Sequence, residues 1–521
     1  MVLFPTGTGE ITAHDALDGK RLGLADDHRS PAELVPKGRE LRRKLFDLVG
    51  DNVIFHKIET PKPERGNLIQ DGALLRNRIG EDDVEGGEPI GRDEEERVAE
   101  IENLADFAGA QFGNAGKLEV AQRRHDNHYF FMAGIVVKPR ARIFHGHDWV
   151  FSGEVLKIFG KPADGDVISL KDGKDHLIGS AIYNSKSQIV ARRFSRRKQD
   201  LDLDFFQRRI GQAAEYRTRR GVDPRLCRVV WSESDGLPGV IVDRYGDNLV
   251  LQTLTLGMDQ RKATIVEALR SVLEGIEAII ERNDAPVRRA EGMEPQVSIL
   301  FGETPAELEI EVSGLRFTID LMHAQKTGFY LDQLANYEIV AAAAKDRRVL
   351  DCFTSQGAFA LACAKAGAAE VTAVEESAPS LANARRNAER NGVQVNWIEQ
   401  DVFAFLRAAE KSGAEYDLIV LDPPSFTKTK GGLRDALRGY HELHVRAFKL
   451  LSKDGLLATF SCSHHVTETI FQQTIADALV DARRSARRLR RFEQALDHPV
   501  LPTLPETEYF KGVLLEMMPG R

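Results

Sequence analysis

The sequence predicts an α/β protein whose carboxy-terminal part is a doubly wound parallel sheet, preceded by a small β-barrel and a central α+β domain. From residue 345 onward, short apolar strands alternate with helical segments that end at glycine, and parallel neighbouring strands need such crossover helices. Between residues 132 and 195, short strands are separated only by Gly, Pro and Asp turns, which predicts a barrel. The length of 521 residues, at about 150 residues per domain, allows three or four folding units.

Composition and cysteine usage exclude several classes of protein. Hydrophobic residues make up 42% and charged residues 29%, as in ordinary soluble globular chains. No run reaches the roughly 18 apolar residues of a membrane span, and the first residues lack a signal pattern, so we predict a cytoplasmic protein without a membrane partner. The four cysteines form no Cys-x-x-Cys pair, which predicts reduced thiols and no metal site: Cys227, Cys352, Cys363 and Cys462.

The charge of the chain is unevenly distributed. The net charge is -8, but residues 81–100 alone contain ten carboxylates and two arginines, so the rest of the chain sums to zero. Two basic clusters stand in this neutral remainder, over 192–198 and 483–491. An arginine cluster is either a solvated face or a surface that contacts phosphates, and charge alone does not separate the two.

Changes in composition and hydrophobic periodicity divide the chain into four predicted segments. They are a poorly defined acidic extension over 1–131, the barrel over 132–200, the central domain over 201–322 and the doubly wound domain over 323–521. Helical spacing predicts helices near 36–49 and 94–109 in the extension, and over 205–220 and 258–273 in the central domain. A hairpin with Ser313-Gly314 at its turn closes the central domain.

The first strand of the doubly wound sheet ends in the run DCFTSQG, which contains Asp351, Phe353 and Gly357. Gly357 lets the backbone turn sharply, and the next helix then presents N–H groups to an electron-rich ligand. The run is not Gly-x-Gly-x-x-Gly and has no P-loop lysine. A pyrophosphate or triphosphate ligand is therefore disfavoured.

Acidic residues also follow the next two strands. Glu375 is placed to accept hydrogen bonds from ribose hydroxyls, while Asp401 and Val402 are placed to contact the amino group and face of an adenine. Each acid has an alternative role as a helix cap or an exposed strand end. Three such residues after three consecutive strands favour a nucleoside without phosphate, and S-adenosylmethionine is the cofactor that fits best.

Two further strand ends carry candidate catalytic groups. Asp422 starts an Asp-Pro-Pro-Ser-Phe run, in which two prolines stiffen the loop so that the carboxylate faces the pocket and can grip a planar base. Asp-Pro-Pro also occurs as an ordinary stop between strand and loop. Cys462 lies at the end of the fifth strand beside two histidines and a helix start that would favour its thiolate.

A thiolate at this edge has a specific chemical use. Carbon 5 of a pyrimidine is a poor nucleophile, but a thiolate added to carbon 6 turns the ring into an enamine that can attack a methyl sulfonium. Asp422 can assist by hydrogen bonding at the N3 edge of the ring. A base must then remove the proton from carbon 5, and the sequence does not identify it.

These motifs resemble the class I, Rossmann-like, S-adenosylmethionine-dependent large-subunit (23S) ribosomal RNA cytosine-5 methyltransferases that carry a PUA domain. The segments that carry the resemblance span about 132–521 and are HDWVFSGEV, SESDGLPGVIVDRYGD, KTGFYLDQ, DCFTSQGAF, VEES, QDVF, LDPPSF, FSCSHH and EYFKG. The resemblance implies that Cys462 is the nucleophile, that Asp422 grips the base, and that the acids after the first three strands bind the cofactor. Since a PUA domain recognises structured RNA, it also implies phosphate contacts for both arginine clusters.

Three alternatives remain open at this stage. An Asp-Pro-Pro motif also serves methyl transfer to a guanine or adenine nitrogen, a route that needs no cysteine. A non-catalytic RNA-binding factor for ribosome assembly would keep the fold and the basic clusters with an idle pocket. A small-molecule methyltransferase leaves the barrel and the arginines without a role. The oligomeric state is also open, and a homodimer is among the states we consider.

Overall fold

The computed structural model describes residues 2–5, 11–14, 21–22, 133–323, 327–427 and 430–519. The chain forms two units, Met1–Tyr129 and Phe130–Arg521. In the first unit, β1 (Val2–Pro5), β2 (Ile11–His14) and β3 (Arg21–Leu22) form an antiparallel sheet. The helices expected near 36–49 and 94–109, and the acidic run, lie outside the described residues.

The predicted barrel segment is a six-stranded β-sheet. Its strands are β4 (Gly134–Val137), β5 (Trp149–Phe151), β6 (Val155–Phe159), β7 (Val167–Lys171), β8 (Leu177–Tyr183) and β9 (Ile189–Ser195). They run in the order β5-β9-β8-β7-β4-β6. Fully buried aliphatic side chains such as Ile135, Val150 and Ile168 form its core, which explains why β-branched residues dominate these strands.

The central segment contains a five-stranded sheet in the order β10-β11-β12-β13-β14. Its elements are α1 (Leu203–Arg219), β10 (Leu226–Trp231), β11 (Val240–Tyr245), β12 (Asn248–Thr253), α2 (Leu256–Asp259), α3 (Lys262–Val272), β13 (Ala278–Asn283), α4 (Val287–Ala290) and β14 (Gln296–Gly302). The helix predicted over 258–273 is two helices. The chain leaves helical geometry at Arg261, whose guanidinium donates to the carbonyls of Gly165 and Gly257, so a tertiary contact overrides the helical pattern.

The predicted hairpin is confirmed as β15 (Leu308–Val312) and β16 (Leu315–Ile319). Ser313 and Gly314 both have positive φ, 52° and 71°, as a two-residue turn of the primed type requires. The hairpin packs on helix α7 (Ala378–Asn391), where Asn387 Oδ1 accepts from the Thr318 N–H at 3.0 Å. The predicted end of the central domain therefore contacts the sheet domain that follows it.

The carboxy-terminal segment is a seven-stranded sheet in the order β19-β18-β17-β20-β21-β23-β22. The first five strands are parallel, and β23 runs antiparallel to both of its neighbours. The strands are β17 (Arg348–Cys352), β18 (Glu370–Glu375), β19 (Asn396–Glu399), β20 (Tyr416–Leu421), β21 (Leu451–Ser461), β22 (Ala486–Phe492) and β23 (Lys511–Met517). The helices are α5 (Leu334–Ala341), α6 (Ala358–Lys365), α7, α8 (Val402–Ser412), α9 (Leu433–Leu450) and α10 (Glu468–Asp481).

This strand order confirms the predicted doubly wound sheet and locates its ligand crevice. The chain proceeds from β17 outward to β18 and β19, then returns to the other side of β17 with β20 and β21. Ligands of such sheets bind at the carboxyl ends of the strands, where the order reverses. Gly392 and Gly413 end α7 and α8 in the left-handed conformation, as the glycine-terminated pattern predicted.

Both faces of the sheet are covered. In β20, Leu418 and Val420 belong to one hydrophobic cluster, while Ile419 and Leu421 belong to the cluster on the opposite face. A parallel strand buried on both faces reads as a continuous apolar run, which is what YDLIVLD shows. No helix in the part of the chain that the structure describes is long and apolar enough to cross a membrane.

Candidate active site

Asp351 is the most deeply buried acid of the crevice. Its side chain is 1% exposed, and one carboxylate oxygen accepts from the Ala360 N–H at 3.0 Å and from the Thr354 hydroxyl. The other oxygen, Oδ1, is buried without a hydrogen-bond partner among the described residues. Burial raises the pKa of Asp351 to about 7, and the negative charges of Asp422 and Glu375 add to this effect.

The loop after β17 has an uncommon backbone conformation. Phe353, Ser355 and Gly357 have positive φ angles of 65°, 50° and 85°. For the two non-glycine residues this geometry costs on the order of 1 kcal/mol or more each, and such strain clusters at functional sites. A Cβ at Gly357 would lie 2.8 Å from Leu361 Cδ1 and 3.0 Å from Trp397 Cη2, so only glycine fits.

Glu375 connects two of the strand ends. Its Oε2 accepts from the Ser355 N–H and its Oε1 from the Ser377 N–H, both at 2.9 Å. The carboxylate therefore lies between the loop after β17 and the loop after β18. Asp401 is exposed after β19, and its Oδ1 caps α8 by accepting from the Ala404 N–H at 2.8 Å. The three acids are thus at the same edge of the sheet, as the sequence predicted.

Val402 does not share that exposure. Its side chain is 2% exposed and packs within the core cluster beneath α8, which leaves little surface for an adenine. The partly buried ring of Phe403 lies beside it in sequence, with its centroid 6.1 Å from that of Phe426. The ring centroid of Phe426 in turn lies 6.5 Å from that of Phe353. These rings form an apolar surface at the edge of the crevice; the sequence predicted Phe353 as a cofactor-binding residue but missed Phe403 and Phe426.

The residues present suit an adenosyl amino acid. The orphaned Asp351 Oδ1 can accept from an ammonium group, because an unpaired buried carboxylate oxygen is costly unless a donor reaches it. Glu375 and Asp401 provide acceptors for hydroxyl and amino groups, and the aromatic rings provide an apolar wall. The crevice has no lysine of the P-loop kind in its first loop, in agreement with a ligand that carries no phosphate.

Asp422 directly follows β20 and is held by a residue far away in sequence. Its Oδ2 accepts from Gln333 Nε2 at 3.0 Å, and Gln333 Oε1 accepts from Asn336 Nδ2 at 2.7 Å. Gln333 is buried and Asp422 is partly exposed. Sequence reasoning assigned no role to Gln333, although it ends the KTGFYLDQ motif, and a polar residue in a family motif before the first strand is the signal that was available.

Cys462 directly follows β21, the parallel neighbour of β20. It is partly exposed, whereas Cys227, Cys352 and Cys363 are buried in the core. Burial raises the pKa of Cys227 to about 12 and the pKa values of the other two buried thiols as well. The helix start expected beside Cys462 lies farther along, since α10 begins only at Glu468.

A hydrogen-bond network joins the loops that carry Asp422 and Cys462. Ser425 Oγ lies 3.2 Å from Ser463 Oγ, so the Asp-Pro-Pro loop contacts the loop after β21. The buried Tyr440 hydroxyl on α9 donates to Ser461 Oγ at 2.9 Å and also lies 3.2 Å from Ser463 Oγ. The carboxyl group and the thiol are therefore held at adjacent strand ends of the crevice.

The predicted phosphate-binding role is wrong for two residues of the first arginine cluster. Arg192 is mostly buried, pairs with Glu233 at 2.8 Å and lies over the Trp149 ring at 4.8 Å. Arg193 is buried and pairs with Asp148 at 2.7 Å. Both arginines sit on β9, where neighbouring carboxylates neutralise them. The exposed members of this cluster are Arg196, Arg197 and Lys198.

The second cluster lies mainly on β22, the edge strand of the sheet. Arg487, Arg488, Arg490 and Arg491 are exposed, and Arg487 lies 3.5 Å from Glu516. Charged side chains on an edge strand also prevent pairing with another chain. This surface is therefore suited to phosphate contact, and it protects the sheet edge whether or not RNA binds there.

The fold and the crevice define the chain as a class I S-adenosylmethionine-dependent methyltransferase with a PUA-like domain ahead of it. Residues 135–196 match the PUA-like domain family, and residues 288–503 match the S-adenosylmethionine-dependent methyltransferase family. These matches confirm the predicted fold class and the predicted cofactor.

Named relatives identify the family. The ribosomal RNA large subunit methyltransferase I of Aeromonas salmonicida is 39% identical over 391 residues, which cover 73% of this chain and 98% of that protein. The protein of the same name from Shigella boydii is 38% identical over 394 residues, 74% of this chain and 99% of that protein. This chain belongs to the family of these methyltransferases.

Solved structures show the same fold. A chain from Streptococcus mutans covers 74% of this one with all of its own length, at a TM-score of 0.64 and 22% identity. A second solved chain, complexed with SAH, has the same coverage and identity with a TM-score of 0.65.

Proposed function

We propose that this protein transfers a methyl group to carbon 5 of a cytosine in large-subunit ribosomal RNA through a covalent adduct between Cys462 and carbon 6. The names of its relatives indicate the RNA. One observation carries the choice of carbon 5: the partly exposed thiol of Cys462 lies at the end of β21, beside Asp422 at the end of β20. A nitrogen target would need no thiol in this position.

Residues at the ends of the first three strands would hold the cofactor in this proposal. Asp351 accepts from its amino group, Glu375 accepts from its ribose, and Gly357 lets the backbone approach it. S-adenosylmethionine, when bound, supplies an electrophilic methyl group. Phe403 and Phe353 would pack against the adenine, with Asp401 as acceptor for its amino group and Val402 as support beneath the ring cluster.

Cys462 makes carbon 5 reactive by changing the electronic structure of the ring. Its thiolate forms a bond to carbon 6, and the electron pair displaced from the double bond between carbons 5 and 6 makes carbon 5 nucleophilic. After carbon 5 has gained its methyl group, a base removes the proton from carbon 5. The double bond then re-forms, and Cys462 leaves as a thiolate.

Asp422 stabilises the charge that the ring gains when the thiolate adds. The Asp422 carboxyl group can hydrogen-bond at the N3 edge of the ring while this negative charge develops. Gln333 fixes the orientation of the Asp422 carboxyl group, because its amide donates to Asp422 Oδ2 at 3.0 Å. The carboxyl group is therefore already oriented when the base binds.

The remaining segments would bind the RNA. We propose the bounds 132–200 for the PUA-like domain, 201–322 for the central domain and 323–521 for the methyltransferase domain. The exposed arginines of β22, Arg488 and Arg490 among them, would contact phosphates. We propose no metal for this reaction.

The test uses large-subunit RNA from cells that lack this protein, offered both naked and as ribosomal particles to wild type and Cys462→Ala. We expect wild type to form 5-methylcytosine, detected by mass spectrometry of nucleosides, and a covalent complex with 5-fluorocytosine RNA that survives denaturing electrophoresis. Cys462→Ala should lose both by several orders of magnitude while its S-adenosylmethionine affinity, measured by calorimetry, stays unchanged.

Two results would contradict the proposal. Methylated guanosine or adenosine that persists in Cys462→Ala would establish transfer to a nitrogen. No methylation of either form of the RNA, with intact cofactor binding, would favour a role in binding alone.

A further inference from the structure

We propose that Lys511 is the positioning residue that keeps Cys462 ionised and aimed into the crevice: its buried ammonium ties down the loop after β21 and stabilises the thiolate. The use of the thiolate on a cytosine rests on the proposed function. The ionisation itself is measurable without RNA, so the two ideas fail separately.

Geometry places Lys511 next to the nucleophile. Lys511 begins β23 and is the register partner of Ser461, the residue before Cys462. Its Nζ donates to the carbonyl of Ser463 at 2.8 Å and to the carbonyl of Val466 at 2.6 Å. One ammonium group therefore holds the backbone on the far side of Cys462, while the strand ladder holds the near side.

The charge of Lys511 lacks a close carboxylate. Its side chain is 6% exposed, and no carboxylate oxygen among the described residues lies within 4.0 Å of Nζ. A buried ammonium is costly unless an opposite charge compensates it. The group that most favours its charged form is the negative charge of Cys462, followed by Glu468 and Glu508. Attraction between two charges is mutual, so the ammonium favours the thiolate equally.

Burial lowers the pKa of Lys511 to about 8. The ammonium is thus present at neutral pH and is lost as the pH rises through about 8. The negative charge of Cys462 opposes this lowering by favouring the ammonium form.

Other titratable groups surround the pair. They are His464 and His465 in the loop, Tyr440 on α9, Glu468 on α10, and Glu506, Glu508 and Tyr509 in the segment before β23. Burial, then Lys511, lowers the pKa of His464, and burial raises the pKa of Tyr440 to about 12, so both are neutral at pH 7. Glu468 has Arg491 at 3.9 Å as a partner. Lys511 is thus a buried cation in the surroundings of Cys462, and the two charges act on each other.

The experiment measures the rate of Cys462 alkylation by iodoacetamide between pH 5 and pH 10 in the full chain, with the modified peptide quantified by mass spectrometry. The three other thiols are buried, so Cys462 dominates the signal. The pH at which the alkylation rate is half-maximal is the midpoint for ionisation of Cys462. In Lys511→Met and Lys511→Gln we expect this midpoint to rise by about one pH unit or more, which slows alkylation at pH 7 about tenfold. Lys511→Arg should restore most of the rate.

The variants separate charge from structure. Glutamine can still donate to the Ser463 and Val466 carbonyls, so a purely structural lysine predicts a normal midpoint in Lys511→Gln. Lys449→Met removes a surface lysine that pairs with Glu410, and the midpoint for ionisation of Cys462 in this variant should equal that of wild type. If Lys511→Met does not fold, as judged by circular dichroism, the glutamine variant carries the test.

The proposal is overturned by an unchanged midpoint in Lys511→Gln, or by an equal shift in Lys449→Met. If the midpoint shifts in the Lys511 variants but wild type forms no RNA adduct, the role of Lys511 stands and the proposed reaction is wrong. If wild type forms the RNA adduct but the midpoint does not shift in the Lys511 variants, the proposed reaction stands and the role of Lys511 is wrong.

Discussion

The burial of Asp351 makes the stability of this protein depend on pH in a defined direction. Its pKa rises from 3.8 to about 7 in the folded chain. An acid with a raised folded pKa binds its proton more tightly in the folded state. Its contribution to stability is therefore complete below pH 3.8 and is lost as the pH rises through about 7.

The size of this effect follows from the shift. The interval from 3.8 to about 7 is roughly three units, and at 1.36 kcal/mol per unit it amounts to about 4 kcal/mol, of which about 2 kcal/mol is lost between pH 5 and pH 7. Asp351→Asn removes the titration. An asparagine oxygen can still accept from the Ala360 N–H, but its amide leaves a buried donor, so absolute stability falls by a constant amount of about 1–3 kcal/mol.

The assay is urea unfolding of the full chain, followed by circular dichroism at pH 5, 6, 7 and 8 in wild type and Asp351→Asn. The pH slope of the difference between the two proteins isolates this carboxyl group. Asp435→Asn provides the matched control, because Asp435 is exposed on α9 and should leave the slope as in wild type. Equal slopes in wild type and Asp351→Asn would refute the reasoning.

The remaining predictions concern the crevice. Gln333→Leu should lower kcat/KM about 10- to 100-fold, because Asp422 loses a hydrogen bond to a charged group, while calorimetry should show unchanged cofactor affinity; equal losses in affinity and turnover would argue against it. Gly357→Ala should weaken S-adenosylmethionine binding and lower the Tm by several degrees, since its Cβ would meet atoms at 2.8–3.2 Å. Gly392→Ala is the control: its φ is +63° with nothing within 4 Å, so it should cost stability through backbone strain alone and leave cofactor binding unchanged.

Much of the fold was predictable because the signals for it are local. Apolar runs of strand length, helical spacing and the glycines that follow several helices depend on near neighbours in the sequence, and they located the five parallel strands and the hairpin at Ser313-Gly314. The helix expected over 258–273 was predicted less well, because the tertiary contact of Arg261 interrupts it.

Part of the candidate site was predictable for a topological reason. In a parallel sheet all carboxyl ends meet at one edge, so Asp351, Glu375 and Asp401 had to share that edge once the strands were known. The sequence could not show how deeply a side chain lies. The burial of Val402 and of Arg192 depends on what packs against them, and neither pattern nor composition records it.

The sequence by itself therefore determined the order of strands and helices, the chemical groups at each strand end and the family, since these depend on residue identity and short-range periodicity. Only the tertiary structure decided which groups act on one another. Gln333 donates to Asp422 across 89 residues, and Lys511 reaches the carbonyl of Ser463 across 48. Such contacts form when distant strands join one sheet, and their energies depend on distance and burial, which only the folded chain sets.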